Sequence, residues 1–503
     1  RTFYSGGQYS LYGFKRYDDI RLVLYPELPL GYYGGDPDNF TYPRYNLDFT
    51  FFRAYDENGA PLQPANYFEF NPKGAEENDP VFVIGNPGST GRYLTMAQLY
   101  YQRDVTAPAI ISLLENRKEI LLRAAEAVED IYVKDSIVNV AFGLSNSEKA
   151  YKGRLDGLND AYLMTKKAKK EEALRKNSTS EDDPWNQIED NVKEAANYYA
   201  EAVFLSPNGL RGKVNQIIHQ LSAYKVALES ENEEAINTTQ ESLTKLVKGM
   251  DMNLEKALFT ALLMELEEYS RQDYIKNLLG DMKPRAKATM IMEESILLNS
   301  PDKFFKLKAN KLDKEPLVAF AEVFPKKLRE AGGVLAKMNA ANTELQSEVM
   351  NISFQASGIS SPPDATFSLR LADGVVKGYE YNGTKAPYKT TYFGLYDRHY
   401  SNDQKYPWNL PERWKTPSME LLKAPLNFVS TTDIIGGNSG SPVINKNAEV
   451  VGLAFDGNIE SLPGYFIFDD EYNRTVSVHA GGIAAAVKYI YKATRLLPEL
   501  NAE

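Results

Sequence analysis

The hydrophobic period of this chain changes twice along its length, and any fold has to accommodate both changes. In residues 1–106 apolar side chains alternate in short runs: Ile20-Arg21-Leu22-Val23-Leu24-Tyr25, Phe49-Thr50-Phe51-Phe52-Arg53 and Val81-Phe82-Val83-Ile84-Gly85. Alternation turns one face of a strand inward. Turn signals separate the runs at Gly34-Gly35-Asp36-Pro37, Glu57-Asn58-Gly59 and Asn86-Pro87-Gly88. Several short strands with frequent turns suit a barrel or a sandwich.

In residues 107–350 the period becomes helical. Ile110, Leu113, Leu114, Ile120, Leu121, Ala124, Ala125 and Val128 follow helical spacing, and Ala107-Pro108 suits a first turn. The charges of Lys166-Lys167-Ala168-Lys169-Lys170-Glu171-Glu172 suit a solvated helix face. Residues 177–184 read as a loop, with Thr179 to Asp183 able to cap the next helix. Further helices are expected at about 185–205, 210–230 and 233–279, the last broken near Met250-Asp251. Leu254, Leu258, Ala261, Leu262 and Leu266 form an apolar stripe of the kind that packs a core. Ser300-Pro301-Asp302 opens another helix, Pro325 interrupts or begins one more, and the last runs to about Met350. No fixed-period repeat points to a solenoid. The block reads as a large helical insertion in a β-rich domain.

Alternation returns in residues 351–503. Strands are expected at 365–371, 374–379, 449–455 and 465–468, and Tyr381-Asn382-Gly383-Thr384 reads as a strand entering a type I′ turn. Residues 398–416 read as a long loop and 483–493 as a closing helix.

Bulk properties narrow the function classes. There are 57 Lys and Arg against 68 Asp and Glu, a net charge of −11, which disfavours general nucleic-acid binding. With no cysteine, disulfides, thiolate zinc sites and cysteine nucleophiles are excluded. That absence also argues against a eukaryotic secreted domain, so the triplet Asn382-Gly383-Thr384 reads as chance. No apolar run is long enough to span a membrane, and no pattern calls for a metal or cofactor. The chain opens at Arg1, without a signal peptide or a starting methionine, and reads as part of a longer protein.

Chemistry concentrates in two stretches. Gly436-Gly437-Asn438-Ser439-Gly440-Ser441-Pro442 sets a serine between glycines, which lets the backbone turn tightly and approach a substrate. Such a turn can aim the Gly437 and Ser439 N–H groups at one point as an oxyanion hole, with Ser439 Oγ as nucleophile. The other reading is a plain turn between two strands. Residues 34–48 are too long and polar for a hairpin turn, and they mix carboxylates, an amide and aromatics, as a recognition loop does. The other reading is a solvated loop with its aromatics packed beneath it. Asp48 immediately precedes an apolar strand, where a carboxylate can be buried and can orient a histidine.

Six blocks carry a resemblance that covers nearly the whole chain. They are Gly34-Gly35-Asp36-x-Asp38-Asn39, Tyr42-Pro43-Arg44, Asp48-Phe49, Asn86-Pro87-Gly88-x-Thr90-x-Arg92-Tyr93, Pro363-Asp364-Ala365-x-Phe367-x-Leu369-Arg370, and Gly436 to Pro442 followed by Phe455-Asp456-Gly457-Asn458. In this order they resemble the bacterial family of serine dipeptidyl peptidases that includes dipeptidyl-peptidase 7 and dipeptidyl-peptidase 11. The resemblance implies a chymotrypsin-like double β-barrel, the first barrel incomplete here, with an inserted α-helical domain capping the cleft. The expected division is 1–106 for the rest of the first barrel, 107–350 for the helical domain, and 351–503 for the second barrel and C-terminal helix.

The resemblance also implies site roles. Ser439 is the nucleophile, Asp48 the acid of a His-Asp-Ser set, and Asn39, Phe40 and Asp456 hold the free α-amino group of the peptide. An ammonium in a closed cleft needs acceptors, and a carboxylate with an amide oxygen supplies them. Gly457 aligns with the position that sorts specificity: arginine there goes with acidic residues before the cut, glycine with apolar ones. Asp433, six residues before Ser439, would favour a basic residue if read as a chymotrypsin-like pocket floor. Two departures stand out. Phe40 replaces the family's usual tryptophan, losing an indole N–H, and Val478-His479-Ala480-Gly481-Gly482 departs from a more acidic and arginine-bearing pattern.

The family's general base is missing from the sequence. No histidine precedes Asp48; the three present are His219, His399 and His479, which read as structural or surface residues, His219 as a helix cap. The family places its histidine earlier in the first barrel. Two readings follow. One is an active exopeptidase that releases dipeptides from free N-termini, with an apolar residue preferred at the second position. The other is an inactive relative that binds peptides within an envelope uptake assembly. The resemblance implies an oligopeptide substrate and a bacterial periplasmic or cell-surface location, and leaves open a homodimer and an outer-membrane uptake partner.

Overall fold

A computed structural model describes residues 2–3, 8–176, 178, 183–357 and 362–501. The chain forms two compact units, one of residues 1–94, 160–167 and 353–503, the other of residues 95–159 and 168–352.

The first unit is built on antiparallel strands. Strands β1 (Thr2–Phe3) and β2 (Gln8–Tyr9) make one ribbon, and β3 (Ile20–Leu24) with β4 (Phe51–Ala54) a second. After β5 (Glu69–Phe70) and β6 (Pro80–Gly85) the main sheet is resumed by β7 (Arg370–Val375) and β10 (Lys389–Thr391), with β8 (Tyr379–Tyr381) and β9 (Thr384–Ala386) forming a separate hairpin between them. It is completed by β11 (Pro425–Ser430), β12 (Ser441–Asn445), β13 (Glu449–Gly457) and β14 (Thr475–His479). The main sheet runs β10-β11-β14-β13-β12-β6-β7, with β5 parallel to β13. Its interior is Val81, Val83, Phe428, Val443, Val451 and Ala454, and along β6 the inward valines alternate as a half-buried strand requires.

Two expectations about this unit are corrected. Among the described residues no ladder closes into a barrel. Val376, just past β7, meets Ser430 of β11 in a single bridge. Thr431 N–H donates to Val375 O at 3.0 Å and Lys377 N–H to Val429 O at 3.2 Å on either side of that bridge, and the chain then leaves for the β8–β9 hairpin. Moreover, β6 does not belong to a separate first barrel: it pairs with both β12 and β7, threading the early segment into the same sheet as the serine loop.

Local departures have local causes. The strand expected at 365–371 starts at Arg370, because Phe367 has φ 55° and cannot sit in an extended ladder. Residues 465–468 are not a strand; a 3₁₀ segment, Ile459–Tyr465, leads into them. The loop expected at 398–416 is partly helical, through Tyr392–Ser401 and Glu412–Trp414. The hairpin turn at Asn382 and Gly383 has φ 49° and 71°, the two positive values that a type I′ turn needs. A second core of Leu30, Leu47, Phe49, Tyr392, Leu395 and Trp414 lies beneath the 28–49 segment and anchors that loop.

The second unit is helical and packs around Phe204, Ile217, Ile218, Leu221, Leu262, Leu266, Phe320 and Phe324. Thr95 and Gln98 cap its first helix reciprocally. Asp183 caps Pro184–Ala195 by accepting from Trp185 and Asn186 N–H; Thr179, the other end of the expected cap, lies outside the described residues. The span expected at 185–205 is two helices, Pro184–Ala195 and Tyr199–Phe204. The break near Met250-Asp251 is real, with Gly249 at φ 66° and Asp251 capping Met252–Tyr269. Pro325 neither ends nor begins a helix. It lies inside Leu317–Ser357, where burial of Phe320, Ala321 and Phe324 holds a turn short of one hydrogen bond. No helix among the described residues is long and apolar enough to cross a membrane.

Candidate active site

The serine loop enters β12 from a tight bend. Gly437 and Gly440 have φ 111° and 83°, values that favour glycine. A Cβ on Gly437 would lie 2.6 Å from Asn86 O and 2.7 Å from Gly88 N, so the 86–93 segment presses directly on the bend. That segment is tied to it by Gly88 N–H donating to Gly436 O at 2.7 Å. Another of the sequence blocks braces it in turn: Asp364 accepts from Thr90 Oγ1 at 2.5 Å and Arg92 N–H at 2.8 Å, and Phe367 N–H donates to Gly88 O at 2.7 Å. Ser439 is exposed, and among the described residues no protein group takes its hydroxyl or the N–H of Gly437 or Ser439. The bend therefore presents a hydroxyl and two free N–H groups, the components an acyl-transfer site requires.

Beyond the bend, Gly440 N–H donates to Ala454 O at 2.7 Å, and Ser441 pairs with Ala454 in the β12–β13 ladder. Asp456 lies two residues further along β13, past a β-bulge or irregularity in its pairing with β14. Its Oδ2 accepts from Phe40 N–H at 3.1 Å and from Arg44 Nη1 at 2.6 Å, and its Oδ1 from Gly457 N–H at 2.9 Å. The 34–48 loop is thus stitched to β13 at the carboxylate. Phe40 holds φ 59° to make that contact, a costly conformation for an aromatic residue. Asn39 is buried beside it.

Arg44 is itself buried. Its Nε donates to Asn46 Oδ1 at 2.8 Å, and its guanidinium lies over the Phe455 ring. Asp48 is not sequestered as expected, since solvent reaches its side chain. Its pKa is nonetheless raised, first by the protein mass around it; Arg44 opposes the shift and Asp456 reinforces it. Asp48, Arg44 and Asp456 accordingly form one electrostatic neighbourhood.

The three histidines are committed elsewhere. His219 is no cap; it sits inside Gly212–Glu229 with Nε2 2.9 Å from Leu205 O, and burial lowers its pKa. His399 is buried with Nδ1 2.7 Å from Trp408 O. His479 is the helix cap: its Nδ1 accepts from Gly481 N–H at 3.0 Å, and burial against Phe428 drops its pKa to about 4. Among the described residues no histidine hydrogen-bonds Ser439 or Asp48.

A family model described as Peptidase S46 matches residues 1–502. The chain belongs to the peptidase S46 family. The family match and the relatives below make the chain a serine dipeptidyl peptidase, and they do not favour the reading of an inactive peptide-binding relative. The chain is 29% identical to dipeptidyl-peptidase 7 of Phocaeicola vulgatus over 545 residues, spanning 99% of this chain and 74% of that protein. It is 27% identical over 562 residues to the Asp/Glu-specific dipeptidyl-peptidase of Porphyromonas gingivalis, spanning 100% and 75%. The crystal structure of Porphyromonas endodontalis DPP11 has the same fold, with TM-score 0.82 at 21% identity, covering 100% of this chain and 77% of that one.

Within the S46 chain, several residues had no role readable from sequence. Arg44 belonged to a recognised block, but only folding reveals its carboxylate partner 412 positions away. Arg92 pairs with both oxygens of Asp433, one at 2.7 Å, and donates to Gly464 O. Asp433 lines a cavity of about 420 Å³ with Ile434 and Ile435, but its charge is already answered there. The reading of Asp433 as a pocket floor for a basic side chain thereby loses its main support.

Proposed function

We propose that this S46 peptidase releases dipeptides from the free N-terminus of oligopeptides, with a preference for an apolar second residue. Ser439 attacks the scissile carbonyl, the Gly437 and Ser439 N–H groups hold the oxyanion, and Asp48 orients the general base. Asn39, Phe40 and Asp456 hold the peptide's α-ammonium.

The observation that carries this reading is the spacing on β13. The residue that pins the serine bend, Ala454, and the carboxylate that binds the 34–48 loop, Asp456, are two positions apart. Two residues of extended peptide span about 7 Å, so an amine clamped at Asp456 leaves its second carbonyl near Ser439. Asp456 also retains a net role for a cation. Arg44 supplies one positive charge against the two carboxylates of Asp456 and Asp48, so the neighbourhood remains attractive to an ammonium. Gly457 offers no forked cation to an acidic side chain. In the resemblance, glycine at this position goes with an apolar second residue, which supports the preference.

In the full-length protein, a Ser439→Ala variant is expected to lose release of X-Leu and X-Phe dipeptides from fluorogenic substrates, and to lose labelling by a fluorophosphonate. Retained labelling in the variant, or none in the parent, overturns the assignment. Residence in the bacterial periplasm or at the cell surface, feeding peptide uptake, fits this activity. Cell fractionation tests the location, and light scattering tests for a homodimer.

A further inference from the structure

We infer that Ser461 is a specificity-determining residue, and that its hydroxyl, rather than the mere absence of a side chain at Gly457, closes the second-position pocket to acidic residues. The inference rests on the proposed role of Gly457 and goes beyond it.

Gly457 has a definite neighbour. A Cβ built on it would lie 2.4 Å from Ser461 Oγ and 3.3 Å from Ser461 Cβ, with Arg474 O next at 3.6 Å. A side chain at 457 would therefore start in the space Ser461 occupies. Ser461 cannot easily withdraw. Its Oγ donates to Asn458 O at 2.7 Å and its N–H to the same oxygen at 3.0 Å, and the side chain is buried. Rotating the hydroxyl would break the first of these bonds at a buried position.

Asn458 is fixed as firmly. It is fully buried; its Nδ2 donates to Tyr472 O at 2.7 Å, its Oδ1 accepts from Arg474 N–H at 2.8 Å, and its N–H donates to Arg474 O at 3.1 Å. Gly457 is held from the other side by its pairing with Thr475 in the β13–β14 ladder. The 3₁₀ segment Ile459–Tyr465 is thus clamped over Gly457 at a fixed distance.

The hydroxyl's chemistry adds to its bulk. Its one hydrogen is committed to Asn458 O, so towards Gly457 it turns only lone pairs. A substrate carboxylate brought there would meet an acceptor and no donor, whereas an apolar side chain loses nothing. Discrimination by an unpaired polar contact is stronger than discrimination by a missing methylene.

The test uses the full-length protein and two readouts. One is kcat/KM for fluorogenic X-Leu and X-Glu substrates; the other is the dissociation constants of the dipeptides Arg-Leu and Arg-Glu, which need no turnover. Ser461→Ala removes the lone pairs with little change of shape, and should raise the Glu-to-Leu ratio about threefold in both readouts. Gly457→Arg alone should lose the Leu substrate without gaining Glu. Gly457→Arg with Ser461→Gly should gain Glu at least tenfold over Gly457→Arg. An unchanged ratio in Ser461→Ala overturns the inference. So does a full switch to Glu by Gly457→Arg alone, and that result leaves Gly457 standing as the sorting position. If the double variant keeps the parent's thermal unfolding but its ratio does not move, the role of Gly457 falls as well, and the inference with it.

Discussion

His479 offers a quantitative check on how this chain treats its histidines. The ring is 1% exposed, caps the helix Ala480–Ala485 through Nδ1, and stacks edge-on against Phe428 at 5.6 Å between centroids. Burial, with a smaller effect from Lys389, holds its pKa at about 4 instead of 6.5; Glu76 and Ala75 oppose the shift. A base whose folded pKa is depressed takes up a proton more readily when unfolded. Between pH 6.5 and 4 the unfolded chain binds a proton that the native state refuses, so stability rises with pH across this window and is lost on acidification. The loss amounts to about 3 kcal/mol over the whole window and about 2 kcal/mol by pH 5. His479→Asn keeps a side-chain oxygen for Gly481 N–H but cannot titrate. Denaturant unfolding at pH 7, 6 and 5 should show the parent losing about 2 kcal/mol more than the variant. Parallel loss in both proteins would refute the reasoning. The same burial bars His479 from acting as a general base near neutral pH.

Four further changes probe the site. Arg44→Met leaves Asp456 buried with two N–H donors but no cation, and should cost about 3 kcal/mol of stability; unfolding within about 0.5 kcal/mol of the parent would show the pair to be idle. Gly437→Ala drives a methyl group into Asn86 O and Gly88 N, and should lower kcat by about 10²–10³-fold, read in the fluorogenic assay; a smaller loss would remove Gly437 from the oxyanion hole. Asp433→Asn should leave the ratio of Lys to Leu at the second position unchanged, because Arg92 already neutralises the carboxylate; a fall in that ratio would restore Asp433 as a pocket floor. N-terminal acetylation of the substrate should abolish cleavage, since an amide cannot donate as an ammonium does to Asp456; residual turnover of the blocked peptide would argue against the clamp.

Much was legible in the sequence because it depends on near neighbours. Alternation at 81–85, the Asn382-Gly383 turn and the Asp251 break report backbone preferences that act within a few residues. The serine bend was readable for the same reason: only glycine tolerates φ 111° at 437. Where local preference misled, a distant partner had decided the outcome. Pro325 stays within a helix because three buried neighbours pack its turn, and β6 joins the later strands because its valines complete their core. The six blocks identified the family, yet gave no hint of why they recur together. Folding shows that 86–93 presses against the serine bend and 363–370 braces 86–93, while 34–48 hangs from Asp456. The sequence by itself determined which residue types were available and where the chain could turn. Tertiary structure decided which charges meet: Arg44 with Asp456 and Arg92 with Asp433. The physical reason is that a buried charge or hydroxyl must find a partner wherever one lies, and hundreds of residues of intervening chain place no limit on that search.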